Sequence, residues 1–496
     1  MLTVFPPQTL VLAGVATFLL YYAGWVIYTL TFHPYAKYPG PLLAKITTWH
    51  RWYTLRYQID ENVRKPLHDR YGEFVRIAPD EVQISDPYAI DTISKFAKTD
   101  FYDNFDPGVG ARVEIFAEKD ERKHNQLKKL MFPLFRQESV AKYEGYVENI
   151  LALFCQKMEE EVGEEVDLAK YIAKFSWDTV GEMIYSYEGG FGMLRDDIDY
   201  NGWMSMVKIM QWQTGQLGYV PYLIRVPYFL FQLLISGKTR KGLMGAMRTV
   251  KQLRALIRKR REREAAGEEF RPEDMLSKML RMEEDEKVNW VEDDIVLTLN
   301  AFVWAGSDTT GSVLGMIVFF ILSDKRVYRK LQTELHTTRS DGYISYQAAT
   351  ELPYLDACVN EGLRLHGILG IGFPRAVPTG GAEICGQYFP GGYKVSMNQN
   401  VTHLDKAIFG EDADDYRPER WMVKDEETVK AMHRHLHTFG YGNRSCLGKP
   451  IAMNEIYKFV PTVLSRYSFE VLKEPTVTRG WFQQPEGFVV KVSKRD

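Results

Sequence analysis

Phe439-Gly440-Tyr441-Gly442-Asn443-Arg444-Ser445-Cys446-Leu447-Gly448 is the stretch on which the reading of this chain turns. It is a glycine-rich loop presenting one cysteine. Lys449-Pro450-Ile451-Ala452-Met453 follows, and proline is tolerated in the first turn of a helix, so a helix is expected to start there. Cys446 then lies at a helix N-terminus, where the dipole favours a thiolate. Gly442 and Gly448 permit close approach of backbone to something flat or bulky. Arg444 is a cation two residues from the sulfur, suited to a carboxylate. A single thiolate does not make a structural zinc site, which takes about four ligands. Two other readings stand beside a ligand role: an inert buried cysteine, and a nucleophile served by a histidine base. His433, His435 and His437 form an H-x-H-x-H array just upstream, read as one face of a strand or loop ahead of a metal site.

Upstream, Ala301–Leu322 reads AFVWAGSDTTGSVLGMIVFFIL, 22 residues with one charge. A membrane span is the plain reading, but Asp308 at its centre would cost about 3 kcal/mol on insertion scales. Glu292, Asp293 and Asp294 suit a helix N-terminus. The expectation is a long helix buried in a soluble domain, with a polar notch at Ser307-Asp308-Thr309-Thr310. Tyr219–Ile235 is apolar but broken by Pro221, Arg225 and Pro227. It is too short to span, and reads as core or as a loop dipping into a membrane surface. The N-terminus differs: no charge occurs from Met1 to Phe32, and Leu10–Thr31 is 22 residues long. At about 1.5 Å per residue that helix crosses a bilayer core. Its n-region has no cation and its apolar run is too long for a cleaved signal peptide. Lys37, Lys45 and Arg51 follow, with no acid before Asp60, which places the body on the cytoplasmic side.

Among its 496 residues the chain has 62 Lys and Arg against 65 Asp and Glu, a net charge of −3 that does not suggest a nucleic-acid partner. Four cysteines exclude a disulfide scaffold and agree with a reducing compartment. Length alone admits about three domains. The pattern favours another division: an anchor at 1–32, a Pro-rich hinge at 33–45 (Pro34, Pro39, Pro41) and one mainly helical body at 46–496. FVRIAPDEVQI at 74–84 reads as a hairpin, 371–398 as strands, and Val140–Glu161 and Gly242–Ala266 as helices. The basic run Arg254–Arg263 reads as a solvated helix face.

Phe439-x-x-Gly442-x-Arg444-x-Cys446-x-Gly448 resembles the haem-binding loop of cytochromes P450, the haem-thiolate monooxygenases. Ala305-Gly306-Ser307-Asp308-Thr309-Thr310 resembles their oxygen-activation motif. Glu361-Gly362-Leu363-Arg364 resembles their Glu-x-x-Arg pair, and Pro418-Glu419-Arg420-Trp421 the loop that adds a second arginine. The resemblance covers essentially the whole chain. It implies the cytochrome P450 fold, a large helical haem domain with small β-sheets, behind one transmembrane helix. It implies haem b with Cys446 as axial iron ligand, Phe439 beside the sulfur and backbone amides near Gly448 on it. Arg444 and Arg375 would meet haem propionates, with His124 and Lys128 facing them. Lys128 departs from the family's common Arg, so a bidentate contact there is not expected. Gly367 stands where many members have Pro.

By the same resemblance Glu361, Arg364 and Arg420 form a structural charged network. Asp308 and Thr309 deliver protons. Residues 101–117, Ala301–Ala305 and Ile368–Gly372 line the substrate. Only 48 residues follow Gly448, so no fused flavin domain is expected. Electrons would come from NADPH–cytochrome P450 reductase, with cytochrome b5 as a further donor. The implied activity is oxidation of a hydrophobic secondary metabolite in fungal biosynthesis at the endoplasmic reticulum membrane. Hydroxylation is the default, with ring closure, demethylation or C–C coupling as alternatives. A haem sensor without turnover is the non-enzyme alternative, and the Asp308-Thr309 pair speaks against it.

Overall fold

The helix Glu292–Ser323 runs through the middle of the molecule, buried over most of its length. Its start follows from its sequence: the Val291 N–H donates to Asp294 Oδ2 at 3.0 Å, and Glu292, Asp293 and Asp294 occupy the first turn, where the dipole favours acids. The apolar run is therefore core, as its central Asp requires. The computed structural model describes residues 7–57, 61–106, 112–186, 189–270, 274–285, 288, 290–337 and 343–495. The central helix lies against the helix Leu168–Tyr185, and Gly311 makes the approach close. A Cβ there would sit 3.1 Å from Ala173 Cα. Three more helices complete this layer: Gln137–Glu160, Lys325–Thr337 and Lys449–Arg466, the last starting with Pro450 in its first turn. Phe154, Phe175, Ile317, Phe459 and Val460 are fully buried where they meet.

The sheets are small. The 74–84 hairpin forms from strands Phe74–Ala78 and Glu81–Ile84. It extends through Lys394–Met397 and Arg375–Ala376 to Ala97–Lys98, with Lys98 directly opposite Arg375. Ala382–Ile384 pairs with Gln387–Phe389, which makes 371–398 strand-rich as expected.

Three sequence expectations change here. Of Tyr219–Ile235, Tyr219 and Val220 are buried as core, but Tyr222–Ile235 is a helix with no buried residue, neither core nor loop. The basic run lies on the helix Gly237–Ala265, but it is not a plain solvated face. Arg260 is 4% exposed and bonds Asp274 at 2.7 Å, while Arg254 reaches Asp293 and Arg261 reaches Glu292. The Pro-rich stretch is packed: Tyr35 and Tyr38 are buried, and Tyr38 stacks on Phe389 with centroids 5.3 Å apart. It follows the helix Pro7–Thr31, exposed except in its last two turns. Residues 1–6 of the anchor lie outside the described residues.

Because Gly311 meets backbone, which cannot yield as a side-chain tip can, Gly311→Val is expected to destabilise the fold by about 1–3 kcal/mol. Thermal unfolding measures it.

Candidate haem-binding site

The loop 439–448 is closed by one backbone bond, the Cys446 N–H to the Phe439 carbonyl at 2.8 Å. Gly440 and Gly442 have φ of 75° and 66°, the left-handed region that glycine enters without strain. Gly442 thus serves the turn itself rather than a close approach. Gly448 differs: its backbone is ordinary, and a Cβ there would sit 3.7 Å from Cys446 Sγ, filling space beside the thiol. Cys446 keeps solvent access. Surrounding protein pushes its thiol up, and hydrogen bonds from the Gly448 and Lys449 amides pull it back. Cys155 and Cys358 are buried and pushed up by burial, to about 11 for Cys155, so neither is an activated thiol.

Behind the loop stands a buried charge network. Glu361 accepts five hydrogen bonds. Arg364 Nη2, Arg420 Nε and the Arg417 N–H reach Oε1 at 2.7, 2.8 and 2.9 Å, and Arg364 Nε and Trp421 Nε1 reach Oε2 at 2.9 Å. Arg364 also donates to the carbonyls of His403 and Ala413 at 2.8 and 2.5 Å. The loop hangs from the helix Pro353–Leu365, which carries Glu361 and Arg364, and from the segment beyond it: Thr438 Oγ1 donates to the Leu363 carbonyl at 2.8 Å, and the His437 N–H to His403 Nε2 at 3.1 Å. The two imidazoles lie 4.6 Å apart, both pushed down by burial, His437 to about 4. His433 and His435 sit on the helix Glu426–His435, so the H-x-H-x-H array is not the expected strand or loop face. Gly367 is set by space, since a Cβ would lie 2.4 Å from Asn400 Oδ1.

Cations gather on the other side. Lys98 and Arg375 face each other across paired strands, and like charges so placed destabilise a sheet unless an anion joins them. Burial first, then Arg444 and Arg375, pushes the Lys98 ammonium down to about 7. His124 is buried, and its Nδ1 has no hydrogen-bond partner among the described residues; the same holds for the Tyr102 hydroxyl. Burial, Arg444 and Lys98 hold His124 down to about 4. Arg375 donates to the Phe96 carbonyl at 3.3 Å with its guanidinium 5.7 Å from the Tyr102 ring. Two of the expected contacts are engaged within the chain. Arg444 bonds Glu121 Oε2 at 2.7 Å and the Glu118 carbonyl at 2.7 Å, and Lys128 donates to the Asn443 carbonyl at 2.5 Å. Lys98 was missing from the sequence reading; its only sequence signal is a cation at a strand end.

A planar dianion with a thiolate-seeking metal suits this set: one accessible sulfur, a glycine leaving its flank open, facing cations and orphaned buried donors. Cys446, Phe439, Gly442 and Gly448 would hold its centre. Arg375, Lys98, His124 and Arg444 would hold its acid edge.

The central helix opens at its notch. Ala305 is exposed between half-buried Trp304 and Gly306, with Ala301 and Thr309 half-exposed one turn either side. Thr309 Oγ1 donates to the Ala305 carbonyl at 2.7 Å. Asp308 turns elsewhere: Gln211 Nε2 bonds its Oδ2 at 2.6 Å and Gln484 Nε2 bonds the same oxygen. Burial pushes this carboxyl up to about 6 against those bonds and Lys208. Among the described residues no hydrogen bond joins Asp308 to Thr309. Gln211 and Gln484 also line a cavity of ≈ 160 Å³ with Trp212, Gly215 and Trp481. Of the expected substrate lining, Phe101, Tyr102 and Ile371 pack into one cluster with Phe373 and Trp481, while Glu114, Ala301 and Phe302 line a separate crevice. Residues 107–111 lie outside the described residues.

The cytochrome P450 family model matches residues 39–494. Cytochrome P450 monooxygenase gsfF of Penicillium aethiopicum is 32% identical, covering 97% of this chain and 98% of that protein. Cytochrome P450 monooxygenase cicH of Emericella nidulans is 32% identical over 92% of this chain and 93% of its own length. Pisatin demethylase of Fusarium vanettenii is 30% identical over 95% and 91%.

Replacing one of the two oxygens that five donors share by an amide NH2, and removing the charge, leaves buried cations uncompensated, so Glu361→Gln is expected to cost about 3–5 kcal/mol in thermal unfolding. Acid acts at the histidine pair. His437 takes its proton near pH 4 when folded and near the ordinary value of about 6.5 when unfolded. Its contribution is therefore complete above about pH 6.5 and lost as pH falls towards 4. Unfolding midpoints from pH 8 to 4.5 should show that decline, flattened in His437→Gln.

Proposed function

This chain belongs to the cytochrome P450 family and is a monooxygenase; on that premise we propose that it hydroxylates a hydrophobic secondary metabolite during its biosynthesis. The observation that supports the site assignment is the accessible Cys446 thiol under two backbone amides at a helix start. Haem b, bound through this sulfur, supplies dioxygen activation and the transfer of one oxygen atom.

The chain's own residues do the rest. The Gly448 and Lys449 amides stabilise charge on the sulfur and tune its donation. Lys98, Arg375 and His124 would hold the propionates, and Arg444, now paired with Glu121, would be a further cation for them. Thr309 carries a proton at Oγ1, its rotation freeing the hydroxyl from the Ala305 carbonyl towards the open face. Asp308 supplies that proton. Its raised carboxyl is part protonated near neutral pH, and the cavity beside Gln211 and Gln484 gives water a route to it. Glu361, Arg364 and Arg420 hold the loop and touch no reacting atom.

Aromatic side chains around Phe101, Phe373 and Trp481 favour an apolar substrate. Oxidative demethylation is the second reading, supported by the demethylase among the relatives. Electrons are assigned to a separate NADPH–cytochrome P450 reductase, with cytochrome b5 as a further donor. The Pro7–Thr31 helix, its apolar surface in contact with lipid, holds the enzyme to the endoplasmic reticulum with the body in the cytoplasm.

Product analysis of the full chain with reductase and candidate metabolites tests the reaction. Cys446→Ser should abolish the reduced, CO-bound absorption band that names the family. Thr309→Ala should keep that band while product per oxygen consumed falls about 10-fold or more. Asp308→Asn should slow turnover and remove the decline in rate above about pH 6. Unchanged coupling in Thr309→Ala would refute the proton path.

A further inference from the structure

Arg76 is fully buried on the strand Phe74–Ala78, and among the described residues no carboxylate lies within salt-bridge distance of it. A buried cation needs compensation, and here it comes from backbone and hydroxyl oxygens. Nη1 donates to the Thr29 carbonyl at 2.8 Å and Nη2 to Thr29 Oγ1 at 2.7 Å, while Nε and Nη2 reach the Pro79 carbonyl at 3.1 and 2.7 Å. Thr29 lies in the last turn of the Pro7–Thr31 helix, where carbonyls lack helical donors and the dipole attracts a cation. Arg76 is thus the C-terminal cap of that helix, supplied from another element. Neighbouring bonds support it. Trp25 Nε1 donates to the Ile46 carbonyl at 2.8 Å, Thr29 Oγ1 to the Lys45 carbonyl at 2.8 Å, and the Arg76 N–H to the Pro39 carbonyl at 2.7 Å. Gly40 passes so close that a Cβ would lie 2.2 Å from the Arg76 carbonyl oxygen.

The surface beside this joint is apolar. Leu42 and Leu43 are exposed, and Trp52 Nε1 donates to Tyr228 OH at 3.1 Å, linking the Trp49–Arg56 helix to Tyr222–Ile235. On that last helix Leu223 is 90% exposed and Leu234 79%. This patch continues from the point where the anchor meets the domain, and a bilayer holding the anchor is its occupant.

We propose that Arg76 is a positioning residue that clamps the anchor to the domain, so that both enter the bilayer as one rigid body and the Tyr222–Ile235 helix is held on the membrane surface at a fixed depth. The proposal rests on the reading of Pro7–Thr31 as a membrane anchor. A flexible tether would instead let the domain tumble and face the lipid in many ways.

The full-length, haem-loaded chain in nanodiscs tests this, with Cys385→Ser to remove the exposed native thiol. Spin labels at Leu12→Cys and Glu383→Cys should give one narrow distance distribution. In Arg76→Ala, with membrane retention and the CO-bound band intact, its width should about double. A fluorophore at Leu223→Cys should report an apolar environment in the parent and a wetter one in Arg76→Ala. Where Arg76→Ala does not fold, Trp25→Phe with Thr29→Val loosens the same joint by removing the side-chain bonds of Trp25 to Ile46 and of Thr29 to Lys45 and Arg76, and should broaden the distances likewise. Equal widths in a folded variant overturn the clamp, and water-like emission at residue 223 in the parent overturns the fixed depth. With Leu223→Asp and Leu234→Asp, so that the patch cannot hold the chain, deletion of residues 7–31 separately checks the anchor: a chain released from vesicles by those two changes alone refutes that reading, while the label distances, measured in micelles, still judge the clamp.

Discussion

One carboxylate carries much of the architecture. Glu361 sits at zero exposure and accepts from two arginines, a tryptophan and a backbone amide. A buried anion of this kind tolerates no missing partner, because desolvation is then uncompensated. The cations it binds carry bonds of their own. Arg364 ties the carbonyls of His403 and Ala413, and Arg420 those of Phe409 and Asp412. An irregular stretch around residues 403–421 is thereby held as firmly as a helix. The His403–His437 contact and the Thr438–Leu363 bond carry that rigidity to the cysteine loop.

The site is built from two opposed electrostatic requirements. On the thiol side, amides lower the cost of negative charge while surrounding protein raises it. On the edge, Lys98 and Arg375 are held together against their own repulsion by sheet pairing, with Arg444 near enough to depress Lys98 further. Such an arrangement stores unfavourable charge that an anionic ligand relieves. Glu121 relieves part of it by pairing with Arg444, which connects the helix Glu121–Met131 to the loop.

Cysteine loop, helix notch and buried network were all legible in sequence, because each depends on short spacings: Cys446 before a helix start, Asp308 next to Thr309, Glu361 three residues from Arg364. Partners distant in sequence were not. Lys98 meets Arg375 only through strand pairing, and Asp308 meets Gln211 and Gln484 only where a helix and a hairpin converge on the central helix. The adjacency of Asp308 and Thr309 suggested direct contact, yet successive helical residues point about 100° apart, so among the described residues no hydrogen bond joins them and a proton passing between them needs water. The basic run misled for the same reason, since charge pattern cannot say that Arg260 faces Asp274 across a turn of chain.

By itself the sequence determined the elements and their chemistry: an uncharged N-terminal helix, a long central helix with a polar notch, and one cysteine in a glycine loop. These follow from local periodicity, dihedral preference and transfer free energy, which act within a few residues. Tertiary structure alone decided what each charge faces, which apolar helix stays bare, and that the Pro-rich stretch is packed against the sheet with Arg76 joining it to the Pro7–Thr31 helix. Burial and pairing are properties of surfaces brought together, and those surfaces come from segments hundreds of residues apart.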